Sequence, residues 1–106
     1  MLRLLLAAVF VFSLSAPALA HFQTLYTPDA AMEKGGTLDL KMVFTHPFDA
    51  GHTMDMGMPQ QFYMLHKGKK TDLMDALKEI SWKSLTNSGK AYEAEVKARK
   101  MGDYVF

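Results

Sequence analysis

The chain has 106 residues, no cysteine and almost balanced charge, with 12 basic and 11 acidic side chains. Without cysteine it cannot be held by disulfides, and without a basic excess it lacks the electrostatic signature of a protein that binds nucleic acid or an anionic membrane surface. At this length we expect one domain whose small apolar core provides most of its stability.

The first 20 residues have the pattern of a secretory signal peptide. Arg3 gives a positive start, and the apolar run at residues 4–16 is shorter than the ~20 residues that a membrane-spanning helix needs. Ala18 and Ala20 form a small-residue cleavage site. Cleavage after Ala20 would remove 20 of the 106 residues and leave a periplasmic or secreted chain of 86 residues, beginning at His21, with no membrane span. A retained membrane anchor is the alternative.

The rest of the chain is predicted to form short strands separated by turns. Apolar and polar side chains alternate with a two-residue period at residues 37–44 and 91–98, as in half-buried strands. Residues 72–80 fit both periods, so we expect a loop or helical turn there. The predicted strands are residues 22–26, 37–44, 61–66, 80–83 and 91–98, with returns or beginnings of strands at 71–74 and 104–106.

These strands predict an all-β fold, an immunoglobulin-like antiparallel β-sandwich made by residues 21–106 as a single domain. Tyr104 follows a turn, where such sandwiches often place a tyrosine whose hydroxyl bonds back to the backbone. A sandwich normally needs one more strand beyond this point, and an open apolar edge favours aggregation. We therefore expect a domain that is incomplete at its C-terminus, either as a fragment or completed by another chain.

Candidate metal ligands are concentrated in the segment "THPFDAGHTMDMGMP" at residues 45–59. Its prolines and glycines predict a loop that leads from one sheet to the other, and loops at the end of a sandwich often carry binding sites. Imidazole suits nickel, copper and zinc, whereas thioether suits soft Cu(I). The candidate ligands of this segment are His46, His52, Met54, Met56 and Met58.

His21 adds a further candidate ligand if the leader is removed. Its free α-amine and its imidazole could chelate one ion, and a second imidazole would complete a T-shaped nitrogen set that Cu(II) and Ni(II) accept. The alternative is that the peptidase simply leaves a histidine at this position. Asp49 and Asp55 are predicted to cap the loop, to be solvated, or to orient a ligand imidazole.

The methionines have two interpretations. Met54, Met56 and Met58 would share one face of an extended segment and could form a Cu(I) surface. Methionine also fills irregular gaps in a core, so burial would indicate packing and exposure would indicate a soft metal. His66 and the lysines of residues 67–70 are interpreted as a solvated turn, not as a binding patch.

Three stretches of the chain resemble a known family. They are "HFQTLYTPD", "GGTLDLKMVFTHPFDAGHTMDMGMP" and "TNSGKAYEAEVKARKMGDYVF". Together they resemble the N-terminal half of a periplasmic family of unknown function associated with nickel uptake or transport. The resemblance implies an exported β-rich protein, a nickel ion and a membrane metal transporter as partner. The positions that match are His21, His46, His52 and residues 54–58.

The sequence therefore predicts a periplasmic protein that binds a nickel or copper ion and delivers it to a transporter, without catalysis. It contains no glycine-rich phosphate loop, no serine in a nucleophile elbow and no Cys/His pair, which excludes the common hydrolase classes. A copper redox enzyme would need an open coordination position and a substrate surface, and the sequence indicates neither. The alternative function is a structural or interaction domain of a larger exported protein, with no metal role.

Overall fold

The computed structural model describes residues 1, 2, 4–6, 9, 22–46 and 51–106, and its strands form two antiparallel sheets. The predicted all-β sandwich is confirmed. A short 3₁₀ helix at Met74–Ala76 interrupts the strands. In chain order, the strands are β1 (Phe22–Tyr26), β2 (Gly36–Thr45), β3 (Thr53–Met54), β4 (Tyr63–His66), β5 (Lys69–Asp72), β6 (Leu77–Lys83), β7 (Ser88–Ala98) and β8 (Tyr104–Val105).

The larger sheet has the order β1-β2-β7-β6, with β3 also paired to β2, and the smaller sheet has the order β5-β4-β8. The β2–β7 ladder ends at the pair Met42↔Tyr92, and β3 then pairs with the last residues of β2. Just after β3, the Met56 N–H donates to the Lys90 carbonyl of β7 at 2.9 Å. The segment around β3 thus links β2 to the start of β7 at this end of the sheet.

The core follows the alternation predicted for β2 and β7. Leu40 is 1% exposed, and burial of such side chains is the main stabilising term at roughly 25 cal/mol per Å² of apolar surface. Two core residues, Met56 and Phe62, come from the segment between β3 and β4. The buried cluster consists of Leu38, Leu40, Met42, Met56, Phe62, Tyr92, Ala94, Val96 and Ala98.

The turn between β7 and β8 contains the predicted tyrosine corner. The Tyr104 hydroxyl donates to the Lys100 carbonyl at 2.9 Å and accepts from the Lys100 N–H at 3.1 Å. Gly102 has φ +118°, and a Cβ there would lie 3.1 Å from Cε1 of His66. Glycine is therefore required both for the backbone angle and for the close approach of the His66 ring.

Two sequence predictions need correction. β6 begins at Leu77 and not at Ile80, because its ladder with β7 already starts at the pair Leu77↔Ala94. The start of a strand is set by its backbone hydrogen bonds, and the period of the side chains gives no information about those bonds. The predicted loop at residues 45–59 also contains the short strand β3, although it does lead from the larger sheet to the smaller one as expected.

Part of the predicted leader can be described. Residues 2, 4–6 and 9 are helical, and their side chains are exposed to solvent. Within the described residues, no helix has both the length and the apolar character required to cross a membrane.

Candidate metal site

His46 and His52 adjoin the end of the β2–β3 ladder. The last two pairs of this ladder are Phe44↔Met54 and Thr45↔Thr53, so His46 follows the last pair on β2 and His52 precedes it on β3. The Gly51 N–H donates to the His46 carbonyl at 3.4 Å, one residue out of the register of this ladder. The hairpin therefore brings two histidines that are six residues apart in sequence to the same end of the ladder.

Met54 lies on the same side of the hairpin. The side chain of Thr53 is 2% exposed, whereas His52 is exposed and Met54 is 45% exposed. Because side chains alternate along a strand, His52 and Met54 share the side opposite to Thr53. This side of the hairpin thus presents imidazole nitrogen and thioether sulfur to solvent.

Thr86 in the β6–β7 turn orients the His52 ring. The Nδ1 of His52 lies 2.7 Å from the Thr86 hydroxyl oxygen. In the tautomer that donates from Nδ1, the lone pair is on Nε2 and is available to a metal ion. Histidine ligands commonly have such a partner on the second ring nitrogen, which fixes the tautomer and the ring orientation.

Asn87, in the same turn, holds the backbone of β3. Its side-chain Oδ1 accepts from the Thr53 N–H at 2.9 Å, and its Nδ2 donates to the Thr53 carbonyl at 2.8 Å. The Ser84 hydroxyl donates to the same Oδ1 at 2.8 Å and thereby fixes the amide. A strand of two residues gains little from its own pairing, so this amide stabilises the position of the residues on both sides of Thr53.

The other predicted ligands of the segment have different environments. Met56 is 6% exposed and belongs to the core, so we assign its side chain to packing. Met58 is 55% exposed, further along the connection to the smaller sheet. The Asp55 Oδ1 accepts from the Lys90 N–H at 2.7 Å and attaches the segment to β7, which is the predicted loop-capping role.

His21 and Asp49 lie outside the described residues. Phe22, the neighbour of His21, is the first residue of β1 and pairs with Thr45. The start of β1, the end of β2 and the start of β3 therefore meet at one end of the larger sheet. Within the described part of the chain, no group of three or more His, Cys, Asp or Glu side chains is placed to hold a metal ion.

Sequence reasoning missed the supporting residues of the β6–β7 turn. Ser84, Thr86 and Asn87 belong to residue types that usually form turns, and no part in a binding site was predicted for them. Nothing in the sequence connects Asn87 to Thr53, 34 positions earlier. The one available signal is general, since a turn rich in Ser, Thr and Asn has side chains able to bond a neighbouring backbone.

A comparison with known protein families finds a match. The family described as "Domain of unknown function (DUF4198)" matches residues 18–106. The matched range includes all of the candidate ligands and both sheets. No curated protein and no solved structure matches the chain.

Proposed function

We propose that the chain, which belongs to the DUF4198 family, is an exported protein that binds one nickel or copper ion and passes it to a membrane metal transporter, without catalysis. The observation that carries the proposal is the β2–β3 register, whose last pair, Thr45↔Thr53, is followed on β2 by His46 and preceded on β3 by His52. Two imidazoles so placed can bind the same ion.

The third donor of the proposed site is His21. Phe22 pairs with Thr45, the residue before His46, and consecutive Cα atoms are 3.8 Å apart. His21 precedes Phe22 by one residue, and His46 follows Thr45 by one residue, so the chain connects His21 to this end of the sheet through a single residue. Removal of the leader would free the α-amine of His21, and this amine with the imidazoles would supply the nitrogen set that tetragonal Cu(II) and Ni(II) accept.

Met54 extends the range of metals. Its partly exposed thioether lies on the same side of β3 as His52, and a thioether suits Cu(I). For a nitrogen site, divalent copper binds more tightly than nickel. We therefore expect the order Cu(II) above Ni(II) in affinity, with Cu(I) binding dependent on Met54.

Exposure supports delivery of the ion over permanent storage. His52 is exposed and Met54 is 45% exposed, so an ion held between them would remain in contact with water and with an approaching partner. The signal-peptide pattern of residues 1–20 supports export. The resemblance of residues 21–106 to a nickel-associated periplasmic family supports a transporter as the recipient.

The proposal can be tested by titration of the processed protein with Ni(II), Cu(II) and Cu(I), after mass spectrometry has confirmed its N-terminus. We expect one ion per chain with a dissociation constant below ~10 μM at pH ~7.5, equivalent to about −7 kcal/mol. His46→Ala and His52→Ala should weaken binding strongly, while Met101→Ala, at a position 88% exposed, serves as a control. Weaker binding of all three ions by a folded protein would favour the structural-domain alternative.

The role of His21 needs a separate experiment. A semisynthetic protein with an acetylated His21 amine keeps every side chain but removes that amine as a donor. We expect it to bind Cu(II) and Ni(II) at least about tenfold more weakly and to retain Cu(I) binding through His46, His52 and Met54, because the thioether and imidazoles suffice for Cu(I). Equal Cu(II) affinity in the two proteins would remove His21 from the site.

A further inference from the structure

A second candidate site lies at the other end of the larger sheet, where β7 ends. A cleft of about 230 Å³ opens there between the end of β7 and the strands of the smaller sheet. Four cationic side chains line it, one from β5 and three from the end of β7 and the residues after it. They are Lys69, Lys97, Arg99 and Lys100.

Within the described residues, none of these cations takes part in an ion pair. Among the described residues, the one ion pair joins Lys41 and Asp39 on β2, and no carboxylate side chain lines the cleft. Four like charges around a small volume repel one another and concentrate a positive potential in the cleft. A bound anion would remove this repulsion.

His66 forms part of the cleft wall and is held on several sides. Its ring stacks on Tyr104 with centroids 4.1 Å apart and planes 9° from parallel. Its Nδ1 lies 3.1 Å from the Asp103 carbonyl oxygen, and Gly102 leaves room for Cε1. Because a carbonyl oxygen only accepts hydrogen bonds, Nδ1 carries a proton.

The second ring nitrogen of His66 has no partner. Its Nε2 is buried and makes no hydrogen bond within the described residues. The interpretation of His66 as a solvated turn residue is therefore wrong for this nitrogen, although the residue as a whole is half-buried. Buried polar atoms are nearly always hydrogen-bonded, so an unpartnered one indicates a missing ligand, ion or water.

An oxyanion would account for both the cluster of cations and the unpartnered Nε2 atom. When the ring is protonated at both nitrogens it donates from Nε2, and an oxyanion accepts that bond while it neutralises the surrounding charges. Lys69 is directly opposite His66 in the β4–β5 ladder, and its flexible four-carbon stem can move to admit the ligand. Arg99 adds a planar fork of donors that matches two oxygens of phosphate or sulfate.

We propose that this cleft binds a multiply charged oxyanion of the size of phosphate or sulfate, with His66 as a donor. The site is independent of the proposed metal site, because the ten residues of β2 separate the two ends by roughly 30 Å at ~3.3 Å per residue. A free ion and a phosphoryl group on a larger molecule present the same oxygens, so the chemistry of the oxyanion defines the ligand.

The test is a sulfate titration followed by NMR at constant ionic strength, with chloride as the exchanged anion so that simple screening is held constant. We expect the Nε2 resonance of His66 to shift with sulfate and not with chloride. The double variant Lys97→Gln/Arg99→Gln should weaken sulfate binding by about fivefold to tenfold, given that each exposed charge contributes modestly. Lys78→Gln, an exposed lysine of β6 outside the cleft, is the matched control.

Two results would overturn the proposal. The first is a sulfate affinity that is the same in the wild type and in the double variant, both shown to be folded. The second is an equal response of the His66 ring to sulfate and chloride.

Inorganic phosphate and a phosphomonoester are then compared as ligands. Binding of either one at the cleft supports the proposal. Tighter binding of the ester indicates that the oxyanion is part of a larger molecule.

Discussion

The two ends of the larger sheet carry different chemistry on one scaffold. At one end, a single hairpin places His46, His52 and Met54 together, and the residues involved are close in sequence. At the other end, His66 comes from the smaller sheet while Lys97 and Arg99 come from the end of β7 and the residue after it. The first group is assembled by local pairing, and the second forms only where the two sheets meet.

This difference predicts how each end responds to a destabilising substitution. The end of the larger sheet that carries the β2–β3 hairpin, here called the hairpin end, is held by side-chain hydrogen bonds from the β6–β7 turn. A substitution in that turn can therefore destabilise this end locally. The opposite end, which carries the cationic cleft and is here called the cleft end, is held by the tyrosine corner and by packing between the two sheets. The buried core lies between them, and a sufficiently large loss of core stability should impair both ends together.

The largest expected effect is that of Leu40→Ala in this shared core. Leu40 is 1% exposed, and removing its side chain should lower the free energy of unfolding by about 2–5 kcal/mol. Denaturation followed by the fluorescence of Trp82 measures it. Leu85→Ala, at a position 85% exposed in the β6–β7 turn, makes the same change outside the core and should cost less than about 0.5 kcal/mol. Comparable losses at the two positions would contradict the assignment of the core.

Asn87→Ala should act at the hairpin end alone. It removes both side-chain bonds to the Thr53 backbone and leaves buried polar groups unpaired, at a cost of about 1–3 kcal/mol. We expect faster hydrogen exchange at the Thr53 amide and weaker metal binding, with unchanged sulfate binding. Asn87→Asp retains an acceptor for the Thr53 N–H and should fall between the wild type and the alanine variant. Loss of sulfate binding in either variant would show that the two ends are not independent.

Much of the fold could be predicted from the sequence because its signals are local. The two-residue period identified β2 and β7, and the turn before Tyr104 indicated the tyrosine corner. The position of His52 beside the end of β2 could not be predicted, because it depends on the register of β3, a two-residue strand without a period of its own. The burial of the His66 Nε2 atom was missed for a similar reason, since the residue's partner Asp103 is 37 residues away.

Tyr104→Phe should act at the cleft end. The variant keeps the ring that stacks on His66 but loses both hydroxyl bonds to Lys100, with an expected cost of about 1–2 kcal/mol. Sulfate binding should weaken a few-fold because the corner that positions Gly102 and the His66 ring is loosened, and metal binding should not change. Tyr63→Phe on β4 is the matched control, since no hydrogen bond of its hydroxyl is present in the described residues.

The smallest effect on stability should come from Thr86→Val, which replaces the hydroxyl beside His52 with a methyl group of similar size. The residue is exposed, so the free energy of unfolding should change by less than about 0.5 kcal/mol. The same variant should nevertheless lower metal affinity by about tenfold, because the His52 ring loses the partner that fixes its tautomer and orientation. Thr86→Ser restores a hydroxyl and should recover most of that affinity. If valine leaves the affinity unchanged, His52 is not a ligand or does not need Thr86 for its orientation, and the His46→Ala and His52→Ala titrations distinguish these two cases.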